Sequence, residues 1–595
     1  MRTAIPTFSA PMTGRLLIAL CLAACACRAA DQPIAAEAMP LSEIHAGQVG
    51  EVWTVFQGTK SEPFSVEVTG VILNALGPGK SIILCQLTDP RVQQMGAVAG
   101  MSGSPLYIDG KFAGALSYQL QQFETTRFAG FTPAADMAEV SDRVAAGASA
   151  DPSPNASPPS GAPAAADAAF RPMKPVFALG GVSPRTAAIM APQFEALGIA
   201  ITSLGGSSQG QSDAAAPART TLAPGDAVSV ALSTGDVTLA GTGTVSRVDG
   251  NRIVAFGHPM LGLGNVQLAM CSADIVAILP STQESTKIAN IGSVIGCISQ
   301  DRLSAVSGVL GPGPQMTDVE VDQVRGTTQH AIHFQVVREK EIAPMIMLTG
   351  IVEAVFGSND NELSEGFRIV STLTFSPTQE LSRESVYAGQ QGFIEGMVEF
   401  LTTLSAEIQN PYEKALPSRV VFRVEPLDAN PSVTVERFEL SRTTIRAGET
   451  LQLTVAWRNY QGSEETRTID IPVDPSWAGK TLGVIAAPGR VLDELTGHGH
   501  TFRPGQLRSF DAYLEGMKDN RPEDGICIAV VEKSALFFDQ AQSEQDTPAS
   551  IERIAAQADP DRYRRQNALV PLWETHILSG KVSLMQTERT VRVVE

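Results

Sequence analysis

Between Gly47 and Asp136 the sequence breaks into short stretches of alternating polar and apolar residues, most of them closed by Gly, Pro, Asp or Asn. They read GEVWTVFQG, PFSVEVTGVILNAL, KSIILCQLTD, SPLYIDG and KFAGALSY. A period of two puts every second side chain on one face of a strand, and turns this frequent leave no room for long helices. This part of the chain reads as a compact β-domain. The Asp109-Gly110 pair between SPLYI and KFAGALSY is the dipeptide that a tight hairpin prefers.

The same texture continues over most of the 595 residues, a length that suggests about three to five units and a mainly β fold class. A run of Ala, Pro, Ser, Gly and Asp from 145 to 172 cannot bury a core and reads as a linker or surface excursion. A second β-rich region starts near Val176, contains the low-complexity loop GGSSQGQSDAAAPART, and carries turn signals at STGD and VDGN. Gly392 to Asn410 is the clearest amphipathic helix, and SVTVERFELSRTTIRAGETLQLTVAWRNYQG alternates as an immunoglobulin-like sandwich would. The expected division is 1–30 signal peptide, 48–143 and 176–315 β-barrel halves flanking a 144–175 linker, 316–420 a β-rich module with one helix, 421–480 an Ig-like module, and 481–595 a mixed α/β region without an assigned role.

Arg15 followed by LLIALCLAACA reads as an export signal too short for a permanent membrane span, with Met12 the tidier start. Leu22-Ala23-Ala24-Cys25 resembles the lipobox of bacterial lipoproteins, which would make Cys25 a lipid anchor; the alternative is ordinary cleavage at Ala24-Cys25-Ala26. The expected location is the periplasm, or the outer membrane through such an anchor. No later apolar run reaches transmembrane length. Cys85, Cys271, Cys297 and Cys527 are widely spaced without C-x-x-C, so buried free thiols are expected rather than a zinc site or a disulfide framework. Lys and Arg total 44 against 63 Asp and Glu, a net charge of −19, and no basic patch stands out, which argues against a nucleic-acid partner. GPGKS lacks the first glycine of a phosphate loop, because Asn74 stands there, and GLGNVQ lacks the third glycine of a dinucleotide fingerprint; no cofactor is expected.

The chemistry concentrates in Gly100-Met101-Ser102-Gly103-Ser104-Pro105. An acyl-transfer serine must sit on a tight turn with backbone N–H groups aimed at the developing oxyanion. Glycines on both sides of Ser102 allow that turn, and the N–H groups of Gly100 and Ser102 would form the oxyanion hole. Glycine and serine are also what an ordinary β-turn prefers, so the hexapeptide alone leaves both readings open. A serine nucleophile needs a base, and there are seven histidines. His498 and His500 in GHGH lack further ligands at metal spacing, and His45, His330, His333 and His576 lie in settings without a catalytic signal. His258 differs, since Gly257-His258-Pro259 carries it out of the apolar strand NRIVAF into a turn where an imidazole could face a cleft.

The segments EPFSVEVTGVI, LTDPR, AGMSGSPLYIDGKFAGAL and FAGFTPAADM resemble the SpoIVB-type serine peptidases, the signalling peptidases of spore-forming bacteria. GTGTVSRVDGNRIVAFGHPM, residues 241–260, is similar to the segment that carries that family's catalytic histidine. The resemblance covers roughly 48–140 and 220–315. It implies Ser102 as nucleophile, His258 as general base and Asp89, in Thr88-Asp89-Pro90-Arg91, as the acid that orients the imidazole. The stretch from Asp89 to Ser102 is slightly shorter than the family pattern, and the alternative for Asp89 is an Asp-Pro turn at a strand end. The order departs as well: the family runs histidine first and serine last, whereas here Ser102 precedes His258. A permuted chymotrypsin-like double β-barrel preserves the cleft if the linker spans it, and about 28 residues of semi-flexible chain reach several tens of Å. The implied function is an exported serine endopeptidase acting on a protein or peptide of the cell envelope, or on itself. The alternative is a catalytically inactive envelope scaffold that keeps the fold.

Overall fold

A computed structural model describes residues 36–595 except 121–126, 146–170, 174, 176, 203–219, 282–284, 326–327, 358–364, 411, 413–415, 497–508, 540–541, 546 and 559–562. The export segment with Cys25, most of the Pro/Ala-rich linker, nearly all of the GGSSQGQ loop and the GHGH pair lie outside the described residues.

The architecture is mainly β. Strands β1 (Val49–Val55), β2 (Ser61–Ile72), β3 (Ile82–Leu87), β4 (Pro105–Ile108), β5 (Lys111–Gln119) and β6 (Phe128–Pro133) form one closed six-stranded barrel. Every pairing in the ring β1–β2–β3–β6–β5–β4–β1 is antiparallel. Its interior takes the inward side chains of the alternating text, among them Val52, Phe64, Val66, Ile83, Leu106 and Phe131. The β4–β5 turn is Asp109-Gly110 with φ of 50° and 77°, the left-handed pair that matches strand twist in a two-residue hairpin. GPGKS lies in the connection between β2 and β3. Two helices follow barrel strands, α1 (Pro90–Met95) after β3 and α2 (Ala134–Ala145) after β6.

A short strand β7 (Arg171–Pro172) adds to β5. A second sheet, of thirteen strands, follows. Its first members are β8 (Phe177–Gly180), β9 (Ile201–Thr202), β10 (Ala227–Gly235), β11 (Thr238–Asp249), β12 (Arg252–Ala255), β13 (Gly264–Leu279), β14 (Thr286–Arg302) and β15 (Ala305–Leu310). Within it, β10 pairs with β11, β11 with β12, β12 with β15, β15 with β14, β14 with β13, and β13 with β10. STGD and VDGN stand at the β10–β11 and β11–β12 turns, where their turn chemistry places them.

The sheet extends from β10 through β17 (Thr328–Val337) to β16 (Met316–Arg325), which pairs in parallel with β20 (Arg419–Leu427). The remaining members are β18 (Gly366–Ser376) and β19 (Gln379–Tyr387). Helices α3 (Pro184–Ala196), α4 (Ala343–Phe356) and α5 (Gly389–Ile408) cover it, and α4 is apolar all round because it is almost entirely buried. The amphipathic text from Gly392 lies in α5. One apolar cluster joins these helices to the sheet through residues such as Phe194, Phe334, Leu348 and Phe422.

Beyond it, β21 (Val433–Leu440), β23 (Thr450–Asn459) and β24 (Glu464–Pro472) make a three-stranded sheet, with β22 (Thr444–Arg446) between the first two in sequence. It faces a second sheet of β22, β25 (Thr481–Ala487), β26 (Ile526–Asp539), β27 (Gln542–Gln545), β28 (Tyr563–Ile577) and β29 (Thr587–Val594). Phe438, Leu453, Val455, Val484, Ile528 and Val591 from both sheets share one core. Cys85, Cys271, Cys297 and Cys527 are all free thiols. No described helix is long and apolar enough to cross a membrane.

The barrel packs against the second sheet along a seam. Trp53, Tyr107 and Phe112 of the barrel cluster with Met137 and Val140 of α2 and with Val254 and Ala305. Gly58 exchanges backbone hydrogen bonds with Ile275 at 2.7 and 2.9 Å. The seam matters because the loop before β4 and the loop after β12 both end in it.

Candidate active site

The loop from Val98 to Ser104 is tied down on three sides. From β14, Lys287 N donates to Ala99 O at 2.9 Å, and Ala99 N donates to the O of Ser285, just before that strand, at 2.8 Å. From β5, Leu116 O accepts from Gly103 N at 2.7 Å, while Leu116 N donates to Ser104 O at 3.0 Å. From β11, Thr244 N donates to Ser102 O at 2.8 Å, Thr244 Oγ1 to Gly100 O at 3.2 Å and Ser246 Oγ to Gly103 O at 2.7 Å. Inside the loop, Met101 N donates to Val98 O at 2.8 Å, and Ser104 gives both its N–H and its Oγ to Met101 O at 3.0 and 2.6 Å. Met101 is buried in the barrel core.

These bonds use the N–H groups of Met101, Gly103 and Ser104, whereas those of Gly100 and Ser102 donate to no acceptor among the described residues. Two donors on one turn beside a serine are the elements of an oxyanion hole. Gly100 and Gly103 have φ of 97° and 95°, a region that a side chain disfavours. At Gly103 space forbids one too, because a Cβ would lie 2.1 Å from Thr244 O and 2.4 Å from Phe256 N. Ser102 is 2% exposed, and its Oγ makes no hydrogen bond among the described residues.

Phe256, against which Gly103 packs, and Gly257 both have φ of 68°, and this left-handed step turns the chain out of β12 into His258. Gly257 abuts β5, since a Cβ there would meet Ser117 Oγ at 2.2 Å, and its carbonyl accepts from Thr132 Oγ1 at 2.6 Å. The serine and histidine loops therefore interlock at the seam, each fitting a glycine against the other's supporting strands. His258 is fully buried, edge-on to Phe256 with ring centroids 6.1 Å apart. Its Nδ1 lies 2.7 Å from Pro259 O. A carbonyl can only accept, so Nδ1 carries the proton and Nε2 keeps its lone pair, the tautomer a general base needs. Burial pushes the imidazole down to about 4. Nε2 has no hydrogen-bond partner among the described residues, so the ring bonds neither Ser102 nor a carboxylate there.

Asp89 stands elsewhere in the hydrogen-bond network. It is the N-cap of α1, with Oδ1 accepting from Arg91 N at 2.8 Å. Arg91 Nη2 meets its Oδ2 at 3.0 Å, while Arg91 Nη1 bridges to Glu62 Oε2 at 3.1 Å. Hydrogen bonds from the Arg91 side chain hold this carboxyl below the usual range. The Asp-Pro pair thus starts a helix, and the imidazole is oriented by its own chain through Pro259.

Two further residues shape the site. Asp301, at the end of β14 and 1% exposed, accepts from the N–H groups of Met260, Leu261 and Gly262 at 2.8 Å each, and from Leu263 N at 3.4 Å. It gathers the amides of the segment that follows His258, which have no strand partner of their own. Burial raises its pKa while those amides pull it down. The second is Lys287, buried beside Gly100 with its Nζ donating to Thr54 Oγ1 at 2.8 Å. Neither has a sequence signal: Asp301 lies 43 positions after His258, and Lys287 sits in an alternating strand.

Residues 26–131 match the family model of the SpoIVB peptidase S55 family. The matched stretch contains the barrel up to Phe131, Asp89 and the Ser102 loop, and ends before His258. No curated protein and no solved structure matches the chain.

Proposed function

We propose that this chain is an exported serine endopeptidase in which Ser102 attacks a peptide carbonyl of an envelope protein, or of the chain itself. One observation carries the reading: within the family-matched stretch, Ser102 sits on a turn whose Gly100 and Ser102 N–H groups have no acceptor among the described residues, interlocked with a loop that holds His258 in the base tautomer. As the Oγ–carbon bond forms, the Ser102 proton passes to His258 Nε2 and the carbonyl electron pair moves onto oxygen, facing the two N–H groups. The imidazolium then returns the proton to the leaving amine as the C–N bond breaks. Water repeats the sequence on the acyl-enzyme. The Ser102 to His258 hydrogen bond forms when substrate binds, as catalytic bonds often tighten only in the complex. Asp89 acts at a distance, by fixing α1 and the entry to the serine loop.

The ring of pairings β10–β11–β12–β15–β14–β13 reads as a second barrel, so that the site lies between two barrels of a permuted chymotrypsin-like pair. The partnerless Nε2 and the engagement of Asp89 by Arg91 favour the second reading, a silent envelope scaffold on the same fold. A fluorophosphonate probe separates the two. Labelling at Ser102, lost in Ser102→Ala and reduced in His258→Ala, is the expected result; a wild-type protein that labels nowhere, or labels equally in Ser102→Ala, refutes the enzyme.

A further inference from the structure

Lys287 is the second residue of β14, and its main chain is hydrogen-bonded to the serine loop through Ala99 O. Its stem runs along Gly100: a Cβ on that glycine would stand 3.0, 3.3 and 3.2 Å from the lysine Cβ, Cγ and Cδ. The amine is two bonds beyond Cδ and donates to the fully buried Thr54 of β1 at 2.8 Å. A small cavity beside Lys287 is lined by Ala99 and Gly100 from the loop, Ala178 from β8, Thr202 from β9 and Thr242 from β11, none of them ionisable near neutrality. Among the described residues no carboxylate pairs with Lys287, and burial alone pushes the amine down to about 7. A cation held dry with no counter-charge among the described residues costs stability, a cost that a negative charge appearing beside it would offset.

We propose that Lys287 is an electrostatic element of the oxyanion site, its ammonium standing behind Gly100 to stabilise the negative charge that forms on the carbonyl oxygen at the Gly100 and Ser102 N–H groups. This rests on the peptidase reading above. The lysine touches no reacting atom; its charge acts through the low-dielectric wall at Gly100, while His258 takes the proton. Thr54 Oγ1 accepts a hydrogen bond from the amine at 2.8 Å, and the Ala99 pairing fixes the lysine's main chain.

Two ionisations then frame the rate. His258 must be neutral, which it is above about 4, and Lys287 must be charged, which it is below about 7. The labelling rate of Ser102 by a fluorophosphonate should rise and fall between those values, giving an acidic optimum. Lys287→Arg keeps a charge at all working pH and should abolish the falling limb while retaining most of the rate. Lys287→Met should lose the falling limb and about 10- to 100-fold in rate at the optimum. It should also melt no lower than wild type, since it removes a buried amine. If Lys287→Met does not fold, the wild-type and Lys287→Arg profiles still decide. A wild-type rate that climbs through pH 7 would make the neutral amine a base and overturn the proposal. So would a falling limb that persists in Lys287→Arg. No labelling of wild type at any pH defeats the peptidase reading and the lysine role with it, whereas wild-type labelling with unchanged lysine variants defeats the lysine role alone.

Discussion

Three glycines with similar backbone conformations separate the strain of a left-handed turn from the packing of the seam. Gly110, at φ 77°, has open space where a Cβ would go; Gly100, at 97°, has the Lys287 Cβ at 3.0 Å; Gly103, at 95°, has Thr244 O at 2.1 Å and Phe256 N at 2.4 Å. Gly110→Ala therefore bears only the conformational cost, about 1 kcal/mol. Gly100→Ala adds contacts of 3.0–3.3 Å to the lysine Cβ, Cγ and Cδ, each asking for a shift of a few tenths of an ångström, for about 2 kcal/mol in all. Gly103→Ala cannot be relieved that way, because both atoms belong to a main chain already bonded, Phe256 N to Thr244 O at 3.2 Å and Thr244 N to Ser102 O at 2.8 Å. Overpacking of about 1–3 kcal/mol and a lost hydrogen bond of about 1 kcal/mol bring its total to roughly 3–5 kcal/mol. Trp53 lies in the seam, and the other tryptophans, Trp457, Trp477 and Trp573, belong to the C-terminal sandwich strands and their connections. Urea unfolding followed by Trp53 fluorescence, with those three replaced by Phe, reads the seam directly through the midpoint at constant slope. If Gly103→Ala falls within about 1 kcal/mol of Gly110→Ala, the interlocking of the serine and histidine loops is refuted.

Asp301→Asn exchanges a carboxylate that gathers four N–H groups for an amide whose own N–H₂ opposes them, and should cost about 3–5 kcal/mol. Hydrogen exchange checks it: protection should fall at Met260, Leu261 and Gly262 while the β1–β6 core is unchanged. His258 makes stability depend on pH. Its folded pKa of about 4 lies below the ordinary 6.5, so the contribution is complete above 6.5 and is lost as pH falls from 6.5 through 4, an effect on the order of 3 kcal/mol. His258→Gln should flatten the urea midpoint between pH 6.5 and 4, and an unchanged slope would contradict the burial of a neutral imidazole.

Local order was legible in the sequence because short-range chemistry decides it. Period-two alternation marked the strands of the barrel, Asp109-Gly110 marked a turn that only left-handed residues make, and the amphipathic run from Gly392 marked α5. Free cysteines followed from their spacing. The Gly-Met-Ser-Gly-Ser-Pro turn was recognisable as a place where a serine could be presented, because glycines at 100 and 103 permit positive φ and a close approach. What the alternation could not reveal is which strands meet. A Pro/Ala-rich stretch separates the Ser102 loop from the His258 loop, and only the packing of barrel against sheet interlocks them. The roles of charged residues depend on that packing as well. Asp89 and Asp301 are both acids near a strand end, yet one caps a helix beside Arg91 and the other collects the amides after His258. Lys287 sits in ordinary strand text, and its significance comes from tertiary burial under Gly100 with Thr54 as its partner. Periodicity and turn chemistry act over a few residues and are written in the chain. Desolvation and long-range contact act across space, and they exist only once the fold has brought the residues together.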